Sequence, residues 1–126
     1  MNLRLVLIIQ VFIVLFSSQQ VLAKDVVFTI QEGTYDNEWD WNLKEDPVIA
    51  EVGDTLIIIN EDTEKARLHT DGRPCPHGDV IEPGDSWSCL LTEPYNALEE
   101  TNPTRDHFTY ALFWIIVNET SSPTNE

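Results

Sequence analysis

Residues 47–60 read PVIAEVGDTLIIIN, and this stretch carries a strong signal for β-structure. It holds two apolar runs, residues 47–52 and 55–60, and the Gly53-Asp54 pair between them is a typical turn signal. The unbroken apolar segment in the second run predicts a strand that is buried on both faces or central in a sheet. The stretch therefore predicts two successive strands joined by a turn.

Further strands are predicted on both sides of this stretch, at residues 25–31, 67–70, 86–92 and 108–117. Residues 82–85 (EPGD) place Pro and Gly where a type II turn needs them. The polar segments 32–46 and 94–106 are predicted loops. No segment has the 3.6-residue period of a core helix, so the pattern predicts an all-β sandwich.

The N-terminal segment, residues 1–23, is predicted to be a signal peptide. Its apolar run, residues 5–16, is shorter than the roughly 20 residues that span a bilayer. Residues 21–23 (VLA) suit cleavage after Ala23; the alternative is an uncleaved anchor. The expected organisation is a domain at residues 24–117 and a disordered tail at 118–126, in a secreted or periplasmic protein with no membrane span after signal removal.

The composition restricts the partners of this protein. The chain of 126 residues has the length of one domain. It holds 22 acidic residues against 7 Lys and Arg, which gives a formal charge of −15. This balance argues against a nucleic-acid binder and against docking onto anionic lipid, because both need clustered basic residues. An acidic surface of this kind attracts cations and basic partners.

Cys75 and Cys89 are the two cysteines of the chain. In an exported protein such a pair is expected to form a disulfide. Closing a loop of about 15 residues would stabilise the fold by roughly 3 kcal/mol. The alternative is a free thiolate at Cys75 that serves as a metal ligand, two residues before His77.

Several pieces of the chain, taken in order, resemble cupredoxins. Residues 51–55 (EVGDT) and 58–62 (IINED), followed by His69, resemble the strand and loop that carry the first copper histidine of that family. Later segments resemble the turn and strands that follow: 82–86 (EPGDS), 92–95 (TEPY) and 111–117 (ALFWIIV). The resemblance implies a Greek-key β-sandwich of about seven or eight strands.

The loop before the last strand departs from that family. A blue copper site uses two His, a Cys thiolate and usually an axial Met. In cupredoxins the Cys, the second His and the Met come from this loop. Here the loop, residues 95–109, has neither Cys nor Met, and Met1 is the only Met of the chain. A blue copper site is therefore not expected. Of the ligands that this loop supplies in cupredoxins, only a histidine, His107, is retained.

The candidate metal ligands are the three histidines, His69, His77 and His107. The first two bracket a turn that the predicted disulfide would hold in place, and the third precedes the last strand. Three imidazoles suit Cu(II) and also Zn(II). Asp71 or Asp106 would add an oxygen ligand or orient an imidazole. The alternative is that these are surface or hydrogen-bonded histidines on a scaffold without a metal.

These features predict an exported copper-binding protein of cupredoxin-like fold, acting as a carrier, buffer or accessory protein for the copper ion. Binding should weaken in acid, because imidazolium cannot coordinate. An enzyme is not expected, since phosphate loops, GxSxG and HExxH are missing from the sequence. One alternative is a metal-free extracellular interaction module that contacts a protein partner through its loops at 32–46 and 95–106. Another is an accessory domain of a redox enzyme complex.

Overall fold

The computed structural model describes residues 22–120, and this part of the chain is almost entirely β-structure. The strands are β1 (Asp25–Ile30), β2 (Val48–Glu51), β3 (Thr55–Asn60), β4 (Leu68–His69), β5 (Ser86–Leu90), β6 (Tyr95–Asn96), β7 (Arg105–Asp106) and β8 (Ile115–Asn118), with one 3₁₀ turn at Ala97–Glu99. The predicted signal peptide and most of the predicted tail lie outside the described residues, so both stay predictions. Within residues 22–120, no helix is long and apolar enough to cross a membrane.

Two three-stranded sheets and one short ribbon make up the fold. The first sheet has the order β1-β3-β5, with β3 parallel to β1 and antiparallel to β5. The second has the order β2-β8-β6, with β8 parallel to β2 and antiparallel to β6. Strands β4 and β7 pair with each other as an antiparallel ribbon. The predicted all-β sandwich with one disulfide is confirmed.

Strand β3 shows why residues 47–60 organise the sheet. Leu56 and Ile58 are fully buried, whereas Ile57 and Ile59 are half-buried, so one face of the strand lies in the core. Of the two predicted explanations for the apolar run, the central position in a sheet is confirmed. The preceding turn needs a left-handed residue, and Gly53 supplies it with φ of 96°.

The predicted type II turn at residues 82–85 is also confirmed. Gly84 has φ of 85°, and the Asp85 N–H donates to the Glu82 carbonyl at 3.0 Å. The turn leads directly into β5. Along that strand Trp87 and Cys89 face inward and the serines face outward, as the alternation predicts.

The two tryptophans of the first long loop have different environments. Trp41 is buried, and its ring lies 5.5 Å from that of Phe113 in the core. Trp39, in contrast, is 53% exposed. Its ring remains available to a partner or ligand.

The last strand is shorter than the predicted 108–117, and in its first half side chains take several of the main-chain hydrogen bonds. The Asp40 carboxylate accepts a hydrogen bond from the Leu112 N–H at 2.9 Å. The Asn42 amide bonds both the N–H and the carbonyl of Trp114. Regular pairing therefore begins only with β8. The predicted loop at 94–106 is also interrupted, since it contains β6 and β7.

Candidate metal centre

The β4–β7 ribbon brings the first and third histidines to the same side of the molecule. His69 ends β4 and lies opposite Arg105 of β7 in the antiparallel register. His107 follows β7 directly, and its N–H donates to the Arg67 carbonyl at 2.7 Å. Because residues directly opposite in an antiparallel pair share a face, Arg105 lies beside His69.

Asp106 holds the loop that carries His107. Its buried carboxylate accepts hydrogen bonds from the Arg67 N–H at 2.9 Å, the Thr109 N–H at 2.9 Å and the Thr109 hydroxyl at 2.8 Å. Both carboxylate oxygens are therefore engaged by loop and ribbon donors. Asp106 positions the loop, and the expectation that it faces an imidazole finds no contact among the described residues.

The disulfide holds the turn that carries His77. Cys75 is bonded to Cys89 of β5, which confirms the predicted bridge and leaves no thiolate for a metal. The Thr70 hydroxyl donates to the Cys75 carbonyl at 2.8 Å, and the Gly78 N–H donates to the Leu68 carbonyl at 2.9 Å. The turn between the first two histidines is thus fixed at both ends.

The three imidazoles meet at one place. His69 Nδ1 lies 2.9 Å from His77 Nε2, and the ring centroid of His107 lies 5.7 Å and 5.2 Å from those of the other two rings. One nitrogen from each ring lies within 4.8 Å of the others. His69 and His77 are half-buried, whereas His107 is exposed at the surface.

The hydrogen bonds of His77 determine its tautomer. Its Nδ1 lies 3.1 Å from the Gly78 carbonyl, and a carbonyl oxygen only accepts, so Nδ1 carries the proton. The Nε2 lone pair therefore faces His69. A ligand histidine typically donates its second N–H to a carbonyl or carboxylate, because this fixes the ring and its tautomer.

Solved structures with a similar fold are cupredoxins. A purple cupredoxin from Nitrosopumilus maritimus matches with a TM-score of 0.56 at 17% identity, covering 75% of this chain and 100% of that one. Two variants of amicyanin in the Cu(I) form match with TM-scores of 0.54 and 0.55 at 15% identity, covering 75% and 79% of this chain and 82% and 87% of theirs. The protein has a cupredoxin-like fold. No protein-family model and no curated protein sequence matches this cupredoxin-like chain.

The environment of His69 in this cupredoxin-like protein favours the neutral imidazole. Burial lowers the pKa of His69 below its ordinary value of 6.5, and the positive charge of Arg105 and the neighbouring His77 lower it further. The Asp71 carboxylate, 3.9 Å from His69 Nε2, acts in the opposite direction. Neutral imidazole is the form that binds metals, so burial prepares His69 for this role.

The donor set suits a metal ion with nitrogen ligands. Imidazole nitrogens bind Zn(II) at about 2.0–2.1 Å, so two of them on one ion lie at most about 4 Å apart. The 2.9 Å between His69 and His77 is within that limit. The nitrogens of the whole set lie within 4.8 Å of one another, so the three rings would have to move closer together to hold one ion.

Sequence reasoning named the three histidines, together with Asp71 and Asp106, but missed Arg105 and the Gly78 carbonyl beside them. Nothing in the sequence indicated that Arg105 lies opposite His69, because this pairing depends on two strands of two residues each. The Gly78 carbonyl, which orients His77, could not be identified from the sequence either. A signal did exist for Asp106, since an Asp two residues after Thr104 and three before Thr109 is typical of a side chain that caps a turn.

Proposed function

We propose that this protein is an exported copper-binding protein, acting as a carrier, buffer or accessory protein, and that His69, His77 and His107 hold the ion. The observation that carries the proposal is the convergence of all three histidines of the chain at one site on a cupredoxin-like fold. They come from three separate positions, and the ribbon and the disulfide hold them there. The predicted signal peptide supports export.

A blue electron-transfer role is not proposed. Such a site needs a Cys thiolate, and both cysteines form the disulfide. The axial Met is also missing, since Met1 is the only methionine of the sequence. Imidazole ligands suit Cu(II), which fits capture of the ion. The charge of −15 raises the local concentration of cations around such a site.

Zinc is the competing metal, because three imidazoles bind both ions. General affinities place Cu(II) above Zn(II) for a given nitrogen site. The similar solved structures are copper proteins by name, and two of them are described in the Cu(I) form. Copper is therefore the metal that we propose.

A metal-free interaction module is the second candidate, and one observation favours it. His69 Nδ1 and His77 Nε2 already satisfy each other as a hydrogen-bonded pair at 2.9 Å. A pair of this kind needs no ion to be stable. In this case the histidines would serve to join the 70–77 turn to the ribbon.

Competition between the protein and a chelator for Cu(II) separates the two candidates. The wild type should bind one equivalent, and His69→Ala, His77→Ala and His107→Ala should each weaken binding by more than about ten-fold, since each removes a ligand. Thr101→Ala, at an exposed residue, is the matched control and should bind normally. If all three histidine variants retain wild-type affinity, the copper site is excluded and the interaction module is favoured.

A further inference from the structure

A second site lies beside the histidines, in a groove of about 780 Å³. The loop between β1 and β2 forms one wall, and the residues that follow His107 form the other. The volume is in the range of pockets that hold small ligands. We propose that this groove binds a primary ammonium group, either of a free polyamine or of a lysine side chain in a peptide. This inference does not depend on copper binding.

Exposed aromatic rings line the groove. Trp39 is 53% exposed, Tyr35 48%, Tyr110 68% and Phe108 37%. The other large aromatic side chains in residues 22–120 are buried or half-buried, and Trp41 and Phe113 lie in the core. The faces of aromatic rings attract ammonium groups, so a cavity lined by several exposed rings favours a ligand of this kind.

The negative charge of the groove also favours an ammonium ligand. Six acidic residues and a single lysine line it. Asp62 and Asp106 are buried and accept main-chain hydrogen bonds, so they shape the walls. Asp36 and Glu64 are exposed, and neither side chain has a hydrogen bond or ion pair among residues 22–120. Their negative charges remain available to a cation.

One ammonium group already occupies part of the groove. The Nζ of Lys65 lies 4.7 Å from the ring centroid of Phe108, with no ion pair to a carboxylate among the described residues. The ring of Phe108 in turn contacts the ring of His107 edge to face at 5.4 Å. The groove thus accommodates an ammonium over an aromatic face, and a ligand ammonium would compete with Lys65 for this position.

The backbone of the groove is held in an unusual conformation. Glu38 and Tyr110 are the two non-glycine residues with positive φ in residues 22–120, at 55° and 63°. Both line the groove, one on each wall. A left-handed backbone conformation costs free energy in any residue other than glycine, and such residues cluster at functional sites. Their position here is consistent with walls shaped for a ligand.

Titration of the purified protein with spermidine, and separately with an acetylated and amidated Ala-Lys-Ala peptide, tests this inference. The experiment is done in EDTA at about 0.15 M salt, so that metal chelation and diffuse attraction contribute little. Saturable binding at one equivalent, with NMR shifts at Trp39 and Phe108, is the expected result. Whichever probe binds more tightly identifies the source of the ammonium. Failure of both probes to saturate overturns the proposal.

Matched variants show whether the groove itself is responsible. Asp36→Asn/Glu64→Gln should weaken binding about ten-fold, whereas Glu99→Gln/Glu119→Gln, which removes the same charge outside the groove, should change it less than about two-fold. Phe108→Leu should weaken binding about five-fold. Equal effects of the two charge pairs would reduce the binding to diffuse attraction and contradict the proposal.

Lys65 provides a test in the opposite direction. Lys65→Met removes the resident ammonium and should tighten binding about three-fold or more, since nothing then competes for the Phe108 face. Lys44→Met is the matched control, because Lys44 Nζ lies 5.4 Å from the Trp114 ring and does not line the groove. An equal gain in both variants would mean that net charge alone is responsible, against the proposal.

Discussion

At the scale of single residues, the site depends on groups that hold the histidines as much as on the histidines themselves. His77 is oriented by the Gly78 carbonyl, and His69 has the Asp71 carboxylate 3.9 Å from its Nε2. If His69 binds a metal through Nδ1, its proton moves to Nε2 and faces that carboxylate. Such outer contacts typically change metal affinity by about 10–100-fold.

Asp106→Asn should weaken copper binding, because Asp106 holds the loop that carries His107. The amide cannot accept on both atoms, so the bonds to Arg67 and Thr109 are partly lost and the loop that carries His107 loosens. We expect a fall of about ten-fold or more in Cu(II) affinity and about 1–3 kcal/mol in the free energy of unfolding. Chelator competition and urea unfolding measure the two effects.

The control for this variant is Asp79→Asn, which changes the same charge at an exposed residue. It should leave both quantities within error. An Asp106→Asn protein with unchanged copper affinity would show that the loop holds His107 without this carboxylate.

Asp54 should make the fold sensitive to acid. Burial alone would raise the pKa of this carboxyl group, but the N–H groups of Glu51 and Lys24 and the charge of Lys24 outweigh it, so the pKa lies below its ordinary 3.8. The folded state therefore binds the proton less readily than the unfolded state. The stabilisation is complete above the ordinary pKa and is lost as the pH falls through the lowered one.

Urea unfolding at pH 7 and at lower pH measures this effect. Asp54→Asn should lower the free energy of unfolding at pH 7 by about 1.5–3 kcal/mol, the range for hydrogen bonds to a charged group. The variant should also lose less stability than the wild type on acidification. Asp25→Asn, at an exposed residue, is the control, and identical acid sensitivity of the wild type and Asp54→Asn would refute the assignment.

Residue types were easier to predict than residue roles. His69, His77 and His107 could be named from the sequence because the chain has only three histidines and two of them flank a short turn. Their convergence required the ribbon pairing, which no local pattern encodes. The exposure of Trp39 could not be predicted either, because an isolated tryptophan in a loop gives no sign of which side it faces.

At the scale of elements, the disulfide joins the turn that carries His77 to β5. Cys75→Ser/Cys89→Ser should lower the free energy of unfolding by roughly 3 kcal/mol through the freed loop of about 15 residues. Copper affinity should fall as well, because His77 is no longer held against the ribbon. Ser88→Ala, on the outward face of the same strand, is the control for unfolding and for chelator competition. Normal affinity in the double variant would show that hydrogen bonds alone fix the turn.

Strands with regular alternation or long apolar runs were predictable, and irregular ones were not. β3 was predicted at residues 55–60, because its apolar run is flanked by clear turn signals. Residues 108–114 also have the composition of a strand. Three of their main-chain N–H groups, however, donate to the side chains of Asp106, Asp40 and Asn42 instead of to a neighbouring strand. Side-chain hydrogen bonds over 72 positions of sequence cannot be inferred from a local pattern.

At the scale of the whole molecule, an acidic sandwich presents two neighbouring features at one end of its short ribbon. The histidine cluster and the acidic aromatic groove meet where the ring of His107 contacts Phe108. Both are suited to positive ligands, one to a metal ion and one to an ammonium group, and the charge of −15 favours both. The fold was predictable because its pieces occur in order along the chain, whereas the groove depends on loops that come together only in three dimensions.

Electron paramagnetic resonance of the protein with one equivalent of Cu(II) tests whether the three histidines hold a copper ion. We expect a single stoichiometric signal with coupling to three imidazole nitrogens and without the intense blue absorption of a thiolate site. His107→Ala should reduce the coupling to two nitrogens. A signal that is unchanged when all three histidines are replaced, or no binding in competition with a weak chelator, would contradict a copper site at His69, His77 and His107.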